Sequence, residues 1–209
     1  MSEPVQIRVL SVDDHPLLSG GIALLINSQL DMISIGHASS GQEAIELYRE
    51  HKPDIVLMDV RLPDMSGIDA TTAIRNEFPD ARIIMLTTAD GDAEVRRALD
   101  AGARSYLLKS MSGKEMVDVI RHVHAGKKKI PAEIAALLAE HYSDETLSAR
   151  EIEVLQQIAG GNRNREIAER LFISEDTVKA HVKHLMEKLG ASDRTEAVAI
   201  GVRRGIIHL

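Results

Sequence analysis

Five short apolar segments recur between Ile7 and Ser110: IRVLSV, MISIGHA, DIVLMD, RIIMLTT and SYLLKS. Between and after them apolar residues space by three and four, as in Leu18/Ile22/Leu25, Ala44/Leu47/Tyr48, Val95/Ala98/Leu99 and Met116/Ile120/Val123. Short apolar runs bounded by turns read as strands, and three-four spacing reads as amphipathic helix. Ser40-Gly-Gln-Glu43 and Ser112-Gly-Lys-Glu115 read as capping boxes that open two of these helices. Alternation of strand and helix leaves few folds. Each return is made by a helix, so the strands lie parallel and helices cover both faces of the sheet. The unbroken run Ile55–Met58 then belongs to a strand buried on both faces.

The pattern changes after Gly126. KKKIPAEIAALLAEHYSDET has a basic start, one helix at Pro131–His141 and a polar end, as expected of a linker. From Ser148 onward only helices are expected: SAREIEVLQQIAGG, NRNREIAERLF, SEDTVKAHVKHLMEKLG and SDRTEAVAIGVRRGI. Charge changes with the pattern. Met1–Gly126 holds 12 Lys+Arg against 19 Asp+Glu, Lys127–Leu147 holds 3 against 4, and Ser148–Leu209 holds 10 against 9. Such asymmetry points to two units with different partners. At 44 % apolar residues the chain can bury a core. It contains no cysteine, which excludes disulfides and thiol chemistry and suits the cytoplasm. No stretch is long and apolar enough for a membrane span, and MSEPVQIRVL does not look like a signal peptide.

The run Ile55–Met58 ends on a carboxylate, Asp59. A buried, unpaired carboxylate is costly, so it must be compensated or used. Ligands of open parallel sheets bind beyond the carboxyl ends of the strands. The first strand delivers Asp13 and Asp14 there, the third Asp59, the fourth Thr87 and Thr88, and the fifth Lys109. Three clustered carboxylates repel unless a cation sits among them. Oxygen ligands with no His or Cys nearby favour Mg²⁺, and Lys109 could neutralise the remaining charge or hold an anion. Asp59 is then placed as a nucleophile toward phosphoryl groups. Taken singly, each residue has a plainer reading as a cap, a turn former or a solvated lysine. Their joint placement on four strands is what favours chemistry.

SVDDHPL, VLMDVRLPDMSGID, IIMLTTAD and SYLLKS, in that order, resemble the receiver domain of two-component response regulators. The resemblance covers 5–126 and implies a flavodoxin-like (CheY-like) α/β domain with a five-stranded parallel sheet. It implies that a sensor histidine kinase phosphorylates Asp59. It further implies that Asp14, Asp59 and the backbone carbonyl of Arg61 hold Mg²⁺, with Asp13 assisting through water. Thr87 would hydrogen-bond the phosphoryl group, Lys109 would pair with it, and Tyr106 would be the second switch residue. Arg61 stands at a variable position of the family and bears on the dephosphorylation rate.

In the helical part, REIAERLFISEDTVKAHVKHLMEKLG shows two helices joined by a short turn at Phe172–Ser174. Ser174 suits an N-cap, and Glu175 and Asp176 suit the positive end of the helix. Val178, Val182, Leu185 and Leu189 form an inward stripe, leaving Lys179, Ala180 and Lys183 on the opposite face. Two lysines flanking a small residue can approach DNA closely, and this arrangement suits a helix-turn-helix recognition helix in the major groove. LSAREIEVLQQIAGGNRNREIAERLFISEDTVKAHVKHLMEKLGASDRTEAV resembles the four-helix DNA-binding domain of the LuxR/NarL type over 148–209, with 127–147 as linker. The resemblance puts base contacts on Lys179, Ala180 and Lys183. His181 and His184 read as phosphate contacts or plain surface.

The whole is expected to be a response regulator of the NarL/FixJ class, a phosphorylation-controlled transcription factor that binds a DNA operator and forms a homodimer on phosphorylation. Val198 and Val202 on the last helix, and the first and fifth receiver helices, are the candidate self-contacts. An aspartyl phosphatase is disfavoured because it wants an acid at position 61, where Arg stands. A regulator sensing a small molecule would want an apolar pocket, which 2 % aromatic content does not favour. A pure protein-interaction module does not account for the helix-turn-helix.

Overall fold

A computed structural model of the protein describes residues 6–88, 91–127, 129–141 and 145–208. The boundary residues Val5 and Leu209, and the linker positions Lys128 and Tyr142–Asp144, lie outside the described residues. Among the described residues, 6–88 with 95–135 form one compact unit and 91–94 with 136–208 form a second.

Over residues 7–124 strands and helices alternate as expected: β1 (Ile7–Val12), α1 (Pro16–Asn27), β2 (Met32–Ala38), α2 (Gly41–His51), β3 (Ile55–Asp59), α3 (Gly67–Glu77), β4 (Ile83–Thr87), α4 (Asp92–Asp100), β5 (Ser105–Leu108) and α5 (Gly113–His124). The strands are all parallel, in the order β2-β1-β3-β4-β5. β3 sits centrally, and all five of its residues are buried, which accounts for its continuous apolar run. One face of the sheet packs Val9, Leu57, Ile84 and Leu107 against Ile22 and Ile26 of α1 and Met116, Ile120 and Val123 of α5.

Helix starts follow the sequence, with one correction. Ser112 and Glu115 form the full capping box of α5. At α2 only half of the expected box forms: Ser40 accepts from the Glu43 N–H, but the Glu43 carboxylate accepts from the N–H and hydroxyl of Ser39. A second hydroxyl one residue upstream competes for that carboxylate. The α2 N-terminus is held instead by Asp64, whose carboxylate accepts from the N–H groups of Gly41 and Gln42 at 2.8 and 2.9 Å.

After β3 the chain doubles back through an antiparallel bridge between Arg61 and Ser66. The Gly67 N–H donates to the Val60 carbonyl at 2.9 Å. A Cβ on Gly67 would lie 1.8 Å from the Asp59 carbonyl oxygen. Glycine is therefore required here by close approach of backbone to backbone.

α6 (Ala132–Glu140) lies within the expected linker helix, one residue shorter at each end. The second unit contains α7 (Ala149–Ala159), α8 (Asn164–Leu171), α9 (Glu175–Leu189) and α10 (Arg194–Arg203). Val154 and Leu155 of α7, Ile167 of α8, Ala197 of α10 and the stripe Val178, Val182, Leu185 and Leu189 of α9 share one core. Glu151, part of the α7 capping box, meets Lys188 of α9 at 2.9 Å and so ties the two helices together. Among the described residues, no helix is long and apolar enough to cross a membrane.

Candidate functional site

Parallel strands bring their carboxyl ends to one edge of the sheet, and the charged residues of the first unit gather there. β1 runs directly into Asp13 and Asp14, β3 ends on Asp59, β4 ends on Thr87, and Lys109 follows β5. Asp13 is fully buried and the side chain of Asp59 is 5 % exposed. The Lys109 ammonium lies 2.6 Å from Asp13 Oδ2 and 2.8 Å from Asp59 Oδ2. The Lys109 N–H donates to the Thr87 carbonyl at 2.6 Å, joining the ends of β4 and β5. Asp59 Oδ1 accepts from the Arg61 N–H at 3.3 Å. Thr87, the last residue of β4, is buried, whereas Thr88, just past the strand end, is exposed.

The electrostatics are those of two buried carboxylates sharing one ammonium. Burial pushes the Asp59 carboxyl above its ordinary value, and the charge of Asp13 pushes the same way; together they outweigh Lys109 and the Arg61 N–H. For Lys109 burial works against the ammonium, but hydrogen bonds to Asp13 and Asp59 and their charges outweigh it. Lys109 therefore stays charged at neutral pH, while the acid cluster is short of positive charge.

That deficit fits a divalent cation. Asp13, Asp14, His15 and Asp59 each bring a ligand atom within 4.8 Å of the others. The Asp14 side chain is 40 % exposed. Carboxylate oxygens open to solvent on one side suit Mg²⁺, which keeps several of its waters.

Sequence reasoning placed Asp13, Asp14, Asp59, Thr87 and Lys109 at this edge, and all five are there. One expectation needs adjustment. The expectation of no histidine nearby is corrected: His15 Nδ1 lies 2.7 Å from Asp14 Oδ1 and 3.2 Å from Asp13 Oδ1. The signal was present in the adjacent letters DDHP, but a histidine at a helix start reads more readily as a surface residue. Asp13 lies against Lys109 and is fully buried. Tyr106 lies fully buried on β5, and the Arg61 side chain is exposed.

A second candidate surface lies on α9. The side chains of Lys179 and Lys183 are 58 % and 74 % exposed, and Ala180 between them is exposed. Val178 and Leu185 are fully buried on the other side of the helix. Lys179 meets Asp176 at 3.0 Å, and that hydrogen bond raises its ammonium above the ordinary lysine value. Lys183 meets Glu187 at 3.8 Å. Exposed pairs of this kind contribute little to stability, so both lysines can exchange an acidic neighbour for a phosphate at small cost. His181 is half-buried and His184 exposed. On α10, Val198 packs against the core of the second unit, and Val202 is 37 % exposed.

Comparison with known proteins bears on both surfaces. Residues 9–121 match the response regulator receiver domain, and residues 145–200 match the bacterial regulatory proteins of the luxR family. The transcriptional regulatory protein YxjL of Bacillus subtilis is 41 % identical over 97 % of this chain and 98 % of its own. The response regulator protein VraR of Staphylococcus aureus is 40 % identical over 97 % of this chain and 99 % of its own. Among solved structures, the response regulator ChrA of a heme-sensing two-component system is similar at a TM-score of 0.59 and 35 % identity, covering 97 % of this chain and all of that one. The two-component response regulator RcsB in complex with DNA is similar at a TM-score of 0.71 and 25 % identity, covering 95 % and 98 %.

Proposed function

The chain belongs to the two-component response regulators that join a receiver domain to a LuxR-type DNA-binding domain, and from that premise we propose how its residues carry out phosphorylation-controlled transcription regulation. The family is one of transcription factors rather than classical enzymes. Our reading is that Asp59 accepts a phosphoryl group from a sensor histidine kinase in the cytoplasm, and that this promotes dimerisation and operator binding. The observation that carries it is the Lys109 ammonium set between two buried carboxylates at the sheet edge, 2.6 Å from Asp13 and 2.8 Å from Asp59. We divide the chain into a receiver at 5–126, a linker at 127–147 and a DNA-binding domain at 148–209. The change from alternating to all-helical packing supports that division.

In this reading an Asp59 carboxylate oxygen attacks the phosphorus of a phosphohistidine. The new O–P bond forms as the N–P bond breaks, and the departing imidazole takes its proton from water. Asp14, Asp59 and the Arg61 backbone carbonyl, with Asp13 assisting through water, would hold Mg²⁺, which would supply charge compensation. Lys109 leaves its pairing with Asp59 to meet the phosphoryl oxygens, and the Thr87 hydroxyl hydrogen-bonds them. Tyr106, on the strand that ends beside Lys109, is the second switch residue. The phosphoryl group binds the rearranged edge better than the resting one, which is the differential affinity a population shift requires.

The metal assignment has a direct test. At about one hundred times its dissociation constant, Mg²⁺ is expected to stabilise the folded chain by about 2.7 kcal/mol. Asp14→Asn is expected to lose most of that thermal shift with little change in the metal-free melting temperature, because Asp14 is partly exposed. An undiminished Mg²⁺ shift in Asp14→Asn would remove Asp14 from the ligand set.

On the DNA side, Lys179, Ala180 and Lys183 are proposed to meet the major groove. One small helical unit of nearly neutral charge binds a half-site weakly, so two copies are expected to read half-sites about 10 base pairs apart. The test is binding as a function of salt, on one and on two half-sites, with and without acetyl phosphate and Mg²⁺. Lys179→Ala is expected to weaken binding by roughly 1–3 kcal/mol if it reads a base, or to flatten the salt slope by about one unit if it meets phosphate. Tight binding to a single half-site, indifferent to the phosphodonor, would rule out the dimer reading.

A further inference from the structure

Two non-glycine residues among those described have positive φ, Lys52 at 45° and Phe172 at 54°. A side chain in the left-handed region crowds its own carbonyl, so glycine or asparagine is preferred where a helix ends this way. α9 follows that preference, ending on Gly190 at φ 64°. Lys52, which ends α2, has a visible compensation: its ammonium sits 3.2 Å from the centroid of the Phe78 ring. Phe172, which ends α8, has none. It is 94 % exposed. Its ring has no aromatic or cationic partner among the described residues. The next residue, Ile173, packs against the core that contains Val178. Ile173 therefore performs the apolar packing that fixes the entry into α9, and the phenyl ring of Phe172 is left over.

A bulky residue that strains the backbone while burying nothing stabilises no part of the fold that contains it. Such outliers point toward function. The position says which one. Phe172 stands two residues before Ser174, the N-cap of α9, and the N-terminal residues of a recognition helix are the ones that reach base edges. A side chain just before that end comes to lie over the rim of the groove, where the apolar faces of the deoxyriboses are presented. We infer that Phe172 is a DNA-positioning residue whose ring packs against the sugar–phosphate backbone beside the bases met by α9. The inference rests on the DNA-binding reading of α9. It adds an uncharged, sequence-independent contact that sets the depth and angle of the helix.

The contact has a signature unlike that of the lysines. A phenyl ring releases no counterion, so its loss weakens binding without altering the salt slope. The experiment uses the full chain treated with acetyl phosphate and Mg²⁺, and a mixed-sequence duplex of about 30 base pairs at low salt. Phe172→Asn removes the ring and tolerates the left-handed backbone. It is expected to raise the melting temperature of the second unit by about 4 °C. It is also expected to weaken DNA binding roughly fivefold with an unchanged salt slope. Phe172→Tyr keeps the ring and is expected to bind as the wild type does.

Stability and affinity moving in opposite directions is the supporting result, because a residue that merely packed would lower both. Unchanged affinity in Phe172→Asn, with Lys179→Ala still weakening the same duplex, overturns the inference and leaves the DNA-binding reading standing; the exposed ring then belongs to a protein contact. A lower melting temperature in Phe172→Asn also overturns it. If wild type and all variants fail to bind the duplex, the reading and the inference fall together.

Discussion

Asp59→Asn is expected to abolish phosphoryl incorporation from acetyl phosphate while the chain keeps its fold. The amide is nearly isosteric with the carboxylate but has no anionic oxygen to attack phosphorus, so the loss should reach the detection limit of radiolabelling or mass spectrometry. Asp59 is the partner both of Lys109 at 2.8 Å and of the Arg61 N–H at 3.3 Å, so no neighbouring carboxylate inherits its position. Label appearing at Asp13 or Asp14 in the variant would show that the phosphoacceptor has been misassigned. A second consequence follows from the raised Asp59 carboxyl. Burial, the main cause, disfavours its ionised form in the native state. Its contribution to stability is present below the ordinary carboxylate value of 3.8 and is lost as pH rises through the higher native value. The metal-free Asp59→Asn chain should therefore melt above the wild type at neutral pH. The gap should close on acidification or on adding Mg²⁺. A variant that melts below the metal-free wild type at neutral pH would mean that the Lys109 pairing outweighs the cost of burial.

Gly67→Ala should cost the most in stability. Its Cβ would stand 1.8 Å from the Asp59 carbonyl oxygen and 2.9 Å from the Asp59 carbonyl carbon. Both are backbone atoms of the central strand, so no side-chain rotation relieves the overlap. Either the start of α3 moves away, breaking the Gly67 N–H to Val60 carbonyl bond, or the end of β3 moves and takes Asp59 with it. Overpacking against rigid neighbours costs about 3 kcal/mol and occasionally more, equivalent to a melting temperature lower by about 10 °C for a unit of this size. Phosphoryl incorporation should fall as well, since the displaced strand end carries the acceptor. Calorimetry checks the first effect and labelling the second. A melting temperature within a degree or two of the wild type would show that the approach seen here is relaxed at little cost.

Much of this protein was readable before any coordinates. Strand and helix periods are local properties, carried by neighbouring residues. Their alternation dictates parallel strands, and parallel strands place Asp13, Asp14, Asp59, Thr87 and Lys109 at one edge whatever the packing details. The stripe Val178, Val182, Leu185 and Leu189 likewise determines the outward face of α9, because helical geometry leaves Lys179, Ala180 and Lys183 no other side. Depth and long-range distance were not readable in this way. Periodicity says which way a side chain points, while burial depends on everything that packs above it. Only the folded sheet makes Asp13 a buried partner of Lys109, which lies far along the chain, and leaves Asp14 half open to solvent beside His15. Only the return of the chain through the Arg61–Ser66 bridge presses Gly67 onto the Asp59 carbonyl. The competition between Ser39 and Ser40 for Glu43 was settled by local geometry too fine for a motif to resolve. The conformation of Phe172 belongs to the tertiary structure: the turn through which half-buried Ile173 packs against the core of the second unit places the residue before it at φ 54° with its ring in solvent.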